Sequence, residues 1–154
     1  MNRIRVHGPE HPNTFRTRHD LACWLGAQGD PAVAVERLEL LLSDRVRVLG
    51  DDHPDTLLNR NELARWRCES GDPQSAVRDF EQLLTDEYRI FGRSHPRTLS
   101  TRFHLAYARD SAGDTDTAAT EYLELLADQL RVLGPDHPDT RRTRAACPNG
   151  KPLS

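Results

Sequence analysis

Four histidines stand in the same setting, each followed by proline, one variable residue and threonine: His11, His53, His95 and His137. Neutral imidazole is the commonest metal ligand, so a recurring histidine raises the question of a zinc site. The spacing argues against one. The four lie 42 residues apart each time, and if each belongs to one unit of a helical stack, neighbouring copies sit ~10 Å apart, the separation of packed helices. Ligands of a single zinc all lie within ~2.1 Å of it. The histidines are therefore read as linker residues that fix the entry to a helix. His7, His19 and His104 are scattered single histidines, read as surface or packing positions in themselves.

Other reactive groups are equally sparse. Cys23, Cys68 and Cys147 form no CxxC pair and leave an odd thiol, which indicates neither a zinc knuckle nor a disulfide framework and suits a reducing compartment. No GxSxG surrounds a serine, and no GxxxxGK[ST] or GxGxxG loop is present. Asp51-Asp52 fall in a linker, while Glu121 and Glu124 are three apart on a helix and read as a solvated face. No catalytic residue, metal or cofactor is expected. With 21 basic and 24 acidic residues the formal charge is -3, which is not the field of a nucleic-acid binder. No apolar run approaches the ~20 residues of a membrane span, and the N-terminus MNRIRVHGPEHP lacks the apolar core of a signal peptide. The reading is a cytoplasmic, non-enzymatic protein of a size that suits one domain.

What positions these residues is a repeat. Gly8, Gly50, Gly92 and Gly134 precede the histidines by three residues, and Gly29-Asp30, Gly71-Asp72 and Gly113-Asp114 follow the first three by 18. Within a unit the apolar residues have helical spacing: Leu57, Leu63, Ala64 and Trp66, then Ala76, Val77, Phe80, Leu83 and Leu84. Proline after each histidine suits a first helical position, the Asp before the second helix suits an N-cap, and Gly closes the second helix as a left-handed C-cap. This predicts helices over 12–27, 31–49, 54–69, 73–91, 96–111 and 115–133, with no strands. The divisions are repeat 1 at 11–52, repeat 2 at 53–94, repeat 3 at 95–136 and a partial fourth first helix at 137–147. Residues 1–10 read as the remnant of a preceding second helix and linker, and 148–154 as a tail.

Leu21-Ala22, Gly29, Ala34, Leu38 and Leu41-Leu42 recur as Leu63-Ala64, Gly71, Ala76, Phe80, Leu83-Leu84 and as Leu105-Ala106, Gly113, Ala118, Tyr122, Leu125-Leu126. This resembles the tetratricopeptide pattern, and the 42-residue period with the RVLGPDHPDT linker resembles the longer variant found in kinesin light chains and in bacterial regulatory and scaffold proteins. The resemblance implies an all-α fold, a right-handed superhelical stack of antiparallel helix pairs. It departs from the pattern where Arg18, Arg60 and Arg102 replace a large aromatic near the start of the first helix, and where no proline closes the second.

The resemblance also implies a protein-interaction scaffold that holds a peptide or protein segment in a concave groove of first helices. Carried over by motif, the lining positions are His19, Cys23, Gly26 and Ala27, then Asn61, Arg65, Cys68 and Glu69, then Phe103, Tyr107, Asp110 and Ser111. Asn61 with Arg65, and Phe103 with Tyr107, are four apart and share a helix face, a polar-basic patch and an aromatic one. The plainer alternative for the aromatic pair is packing against the neighbouring repeat. The alternative function is a sensor or regulatory segment of a larger signalling ATPase-type protein.

Two further expectations concern architecture. Arg18, Arg60 and Arg102 recur with Asp44, Asp86 and Asp128 and with Arg47, Arg89 and Arg131, which suits ion pairs between helices or Arg stems laid over apolar surface. Arg5-Val6-His7-Gly8 aligns with Arg47-Val48-Leu49-Gly50, and Pro148 stops the last helix early, so both ends read as incomplete repeats. An uncapped stacking face exposes apolar surface. Self-association through that N-terminal face, near Phe15 and Trp24, or membership of a longer array is the expected consequence.

Overall fold

A computed structural model describes residues 11–147. The described residues form seven helices and no strand: α1 Pro12–Ala27, α2 Pro31–Leu49, α3 Pro54–Glu69, α4 Pro73–Phe91, α5 Pro96–Ser111, α6 Thr115–Val132 and α7 Pro138–Ala146. All six main helices stand where the repeat pattern puts them, and α6 closes one residue early.

The recurring His-Pro is what starts α1, α3, α5 and α7. Proline at the first helical position restricts the residue before it to extended backbone, and the histidines have φ between -69° and -65° with ψ between 136° and 144°. That is N-cap geometry. Each histidine uses it, because Nδ1 accepts a hydrogen bond from the backbone N–H two residues on: Asn13 at 3.1 Å, Asp55 at 3.0 Å, Arg97 at 3.1 Å and Asp139 at 3.1 Å. One of the orphan amides of the first turn is thereby satisfied, and the linker reading of the four histidines stands with a specific mechanism.

α1 ends in a Schellman arrangement, in which the Asp30 N–H donates to Leu25 O at 3.2 Å and the Gly29 N–H to Gly26 O at 3.1 Å. Gly29 has φ 105°, which an L side chain rarely adopts. The end of α2 differs from expectation. Gly50 has φ 92° but ψ 166°, so it turns the chain out in the mirror-extended region and is not a left-handed helical cap. The expected Asp caps also divide: the Asp114 side chain accepts from the Thr117 N–H at 3.4 Å, whereas Asp30 makes no side-chain cap bond.

The chain falls into two compact units, Met1–Asp72 and Pro73–Ser154, and not into the single domain its length suggested. In a repeat array contacts run between nearest neighbours. In the first unit α1 packs on α2, α2 on α3, and α1 touches α3; the core is Phe15, Ala22, Leu38, Leu41 and Leu63. In the second, α4, α5, α6 and α7 pack in sequence order, and Ala106, Ala118, Tyr122, Leu126 and Cys147 form a core cluster. Ala22, Ala34, Ala106 and Ala118 are buried at helix crossings, where a small side chain lets the backbones approach.

Phe15 corrects an expectation. It is not part of an exposed end face but lies fully buried in the first core, with the Arg18 and Arg45 guanidinium groups near its ring at 6.0 and 5.9 Å. Trp24 is exposed, as expected. The Arg5–Gly8 remnant lies outside the described residues.

In the first and third repeats the recurring charges pair as their spacing suggested. Arg18 donates to Asp44 at 2.7 Å and Arg102 to Asp128 at 2.7 Å, each joining the first helix of a repeat to the second; Arg47 and Arg131 reach the same carboxylates at 3.1 Å. The hydrogen bond from Arg18 holds the Asp44 carboxyl below its ordinary value against the opposing effect of burial. At Asp128 burial pushes upward, but the bonds from Arg102 and Arg131 outweigh it and the net direction is down. Arginine thus replaces an aromatic at this column by laying its stem over the helix pair and anchoring its head.

Candidate functional site

In the first unit, the residues carried over as groove positions lie on α1 and α3. Cys23 of α1 donates its S–H to Glu62 of α3 at 3.6 Å, and Arg65 donates to the same carboxylate at 2.9 Å. Glu62 therefore joins the two helices and sets the Arg65 head beside Cys23. Burial, then the Glu62 charge, pushes the Cys23 thiol up to about 11, so it is a packed thiol and not a nucleophile. Glu62 was missed by carrying over motif columns; the Glu62/Arg65 pair at i,i+3 was the signal that could have found it. Arg65 and Glu69 are exposed, Asn61 and Cys68 half-buried.

The packing of α1 on α3 depends on Gly26. A Cβ there would lie 2.9 Å from three ring carbons of Trp66, so the indole rests directly on the α1 backbone. Gly26 is accordingly buried and is a packing position, unlike its exposed neighbour Ala27.

His19 is also drawn inward. Its Nδ1 lies 3.2 Å from the Arg45 guanidinium, which further donates to Asn59 Oδ1 at 3.3 Å and Asp55 O at 3.4 Å. Asn59 in turn donates to Leu38 O at 3.1 Å. Burial first, and then the Arg45 charge, lowers the His19 pKa from 6.5, which keeps the imidazole neutral and able to accept. The buried column that contains Arg45 continues as Glu87 and Gln129 in later repeats; it was not legible because its three members differ in charge and type.

In the second unit the expected aromatic pair divides. Phe103 is half-buried, 5.5 Å from the Tyr122 ring, with the Arg142 guanidinium of α7 4.7 Å above it. It packs against the neighbouring helices as the plainer alternative holds. Tyr107, one turn on, is 46% exposed, and Asp110 and Ser111 are exposed beyond it. Glu121 is not a solvated acid: it pairs with Arg109 at 2.7 Å, and Arg109 also reaches Glu81 at 3.0 Å. Burial raises the Glu121 pKa against the opposing pull of Arg109. Among the described residues no group of three His, Cys, Asp or Glu is placed to hold a metal ion, and no helix is long and apolar enough to cross a membrane.

Helices recurring at 42 residues, each first helix opened by the same His-Pro cap, define a helical-repeat protein. The sequence model for the tetratricopeptide repeat matches residues 14–55 and 98–139, and the chain belongs to the tetratricopeptide-repeat family. Two solved structures of nearly identical TPR-like repeats from a Podosopora anserina protein assigned as a kinesin light chain, one of them a point variant, share the fold. Each is 28% identical over 92% of this chain, with TM-scores of 0.76 for the variant and 0.74. The chain spans about two thirds of their length, 66% and 67%. No curated protein sequence matches it. Tetratricopeptide repeats are in general scaffolds for protein–protein interaction.

Proposed function

We propose that the chain holds a peptide or protein segment against the exposed faces of its first helices. In the first unit Asn61, Arg65 and Glu69 of α3 offer hydrogen bonds and charge beside Cys23 of α1. In the second, Tyr107 and Asp110 of α5 offer an aromatic anchor beside a carboxylate. The observation that carries the reading is Tyr107: a large aromatic left 46% exposed one turn from Phe103, whose ring is held by Tyr122 and Arg142. Anchors of this kind, aromatic and set on a rigid helix, concentrate binding energy in protein interfaces. Polar groups around it fix register more than affinity.

Affinity capture with the whole chain, repeated with Tyr107→Ala and followed by peptide mapping, tests this. The expected result is a protein retained by the native chain, lost with Tyr107→Ala, and mapping to one short segment. Equal retention by both overturns the reading. If the faces instead close on another domain of a longer chain, as in a regulatory segment of a signalling ATPase, the mapped segment belongs to that same chain.

A further inference from the structure

In the second unit the α5 stripe that carries Tyr107 shows, one turn earlier, what such a ring takes up. The Arg142 guanidinium lies 4.7 Å from the centroid of the Phe103 ring and donates to Asp139 at 3.2 Å, so a cation rests on an aromatic face with a carboxylate beside it. Arg93 stacks on Tyr88 at the same 4.7 Å. Tyr107 presents a further ring on α5, 46% exposed. Asp110 follows it by three residues, which sets ring and carboxylate on one helix face, and Asp110 is exposed too. Both act on the same neighbour: burial, then the Asp110 charge and then Tyr107 push the Tyr122 phenol up to about 12. Arg109, the adjacent cation in sequence, is held instead by Glu81 and Glu121 at 3.0 and 2.7 Å.

An exposed ring with a carboxylate one turn away complements a cation. Arginine suits the pair better than lysine, because the planar guanidinium can lie on the ring and still donate twice to the carboxylate. The same positions hold Cys23 and Gly26 in the first repeat and Arg65 and Cys68 in the second, which offer neither a ring nor a carboxylate. We propose that the partner segment docks an arginine side chain on Tyr107, its guanidinium paired with Asp110. This rests on the reading that first-helix faces hold a partner segment, and it names the side chain that the partner brings to α5.

The test titrates two terminally blocked peptides into the full, isotope-labelled chain and follows its amide shifts: Gly-Ser-Ser-Leu-Arg-Ser-Ser-Gly, and the same peptide with neutral citrulline in place of arginine. The arginine peptide is expected to bind about five- to tenfold tighter, the combined worth of an exposed cation–π contact and an exposed ion pair, with shifts centred on Tyr107 and Asp110. Asp110→Asn should weaken the arginine peptide by about threefold and leave the citrulline peptide unchanged, without altering the melt because Asp110 is exposed. Equal affinity of the two peptides at Tyr107 overturns the arginine and leaves the reading of the face intact; failure of that reading is seen separately, as capture that survives Tyr107→Ala. Saturable binding of neither peptide, shifts centred elsewhere, or a preference unchanged by Asp110→Asn also overturns the proposal. So does tighter binding of the arginine peptide by Lys151→Gln, which would make the chain's own tail the occupant, or a dimer in sedimentation that Asp110→Asn abolishes, which would make it a second copy.

Discussion

Replacing Gly26 by alanine is a change whose sign is decided by how α1 meets α3. Within an exposed helix the substitution would stabilise by ~1 kcal/mol, since glycine loses more backbone entropy on folding. Here the new Cβ would stand 2.9 Å from Cε2, Cζ2 and Cη2 of Trp66, well inside the ~3.5–4.0 Å of a relaxed carbon contact. The indole must retreat by roughly 0.5–1 Å or the helices must part, and overpacking of this kind costs ~1–3 kcal/mol. Together these leave a net destabilisation of ~1 kcal/mol, or about 3 °C in melting temperature for a chain of this size. In a Trp66→Leu background the clash is gone and Gly26→Ala should stabilise by up to ~1 kcal/mol, a coupling near 2 kcal/mol between the two sites. Thermal and urea melts followed by far-UV circular dichroism on the four proteins complete the cycle. Stabilisation by Gly26→Ala in the native background, or an equal effect in both, would refute the contact.

Asp128→Asn should cost ~1–2 kcal/mol by leaving the buried Arg102 head without its countercharge, while Asp44→Asn should cost under ~1 kcal/mol because Arg18 is more exposed; urea melts of the two variants compare them. His53→Ala should cost ~1 kcal/mol through loss of the α3 cap, and His53→Asn should recover most of it, again read by denaturation. The folded-state pKa of His19 lies below 6.5, so the unfolded chain takes up a proton first as pH falls. Stability from this group is complete above pH 6.5 and is lost as pH drops through the lower folded value; in His19→Gln, melting temperature against pH should lose that component.

The helix boundaries were legible because their punctuation is stereochemical and repeated: proline forces the preceding histidine into cap geometry, and glycine alone enters the positive-φ turn at Gly29. The Arg18–Asp44 and Arg102–Asp128 pairs were legible because both partners recur together. Phe15 was misjudged because its aligned position is near the N-terminal edge, yet its ring turns into the α1–α2–α3 core. His19 was placed on the groove by motif column, but Arg45, a buried arginine, draws it inward. Such a column hides from sequence when its members are Arg45, Glu87 and Gln129, since no periodicity of charge or hydropathy marks it. The positions carried over as groove residues on α3 and α5 are exposed or half-buried.

If the proposed function holds, exposed first-helix side chains bind a partner without holding the fold. Its most direct test is titration of the mapped partner segment into the native chain, Arg65→Ala and Tyr107→Ala, with thermal melts of the same samples. Each substitution is expected to weaken binding by over ~1 kcal/mol while shifting the melting temperature by less than ~2 °C. Unchanged affinity with a large drop in melting temperature would contradict it and assign both residues to the core.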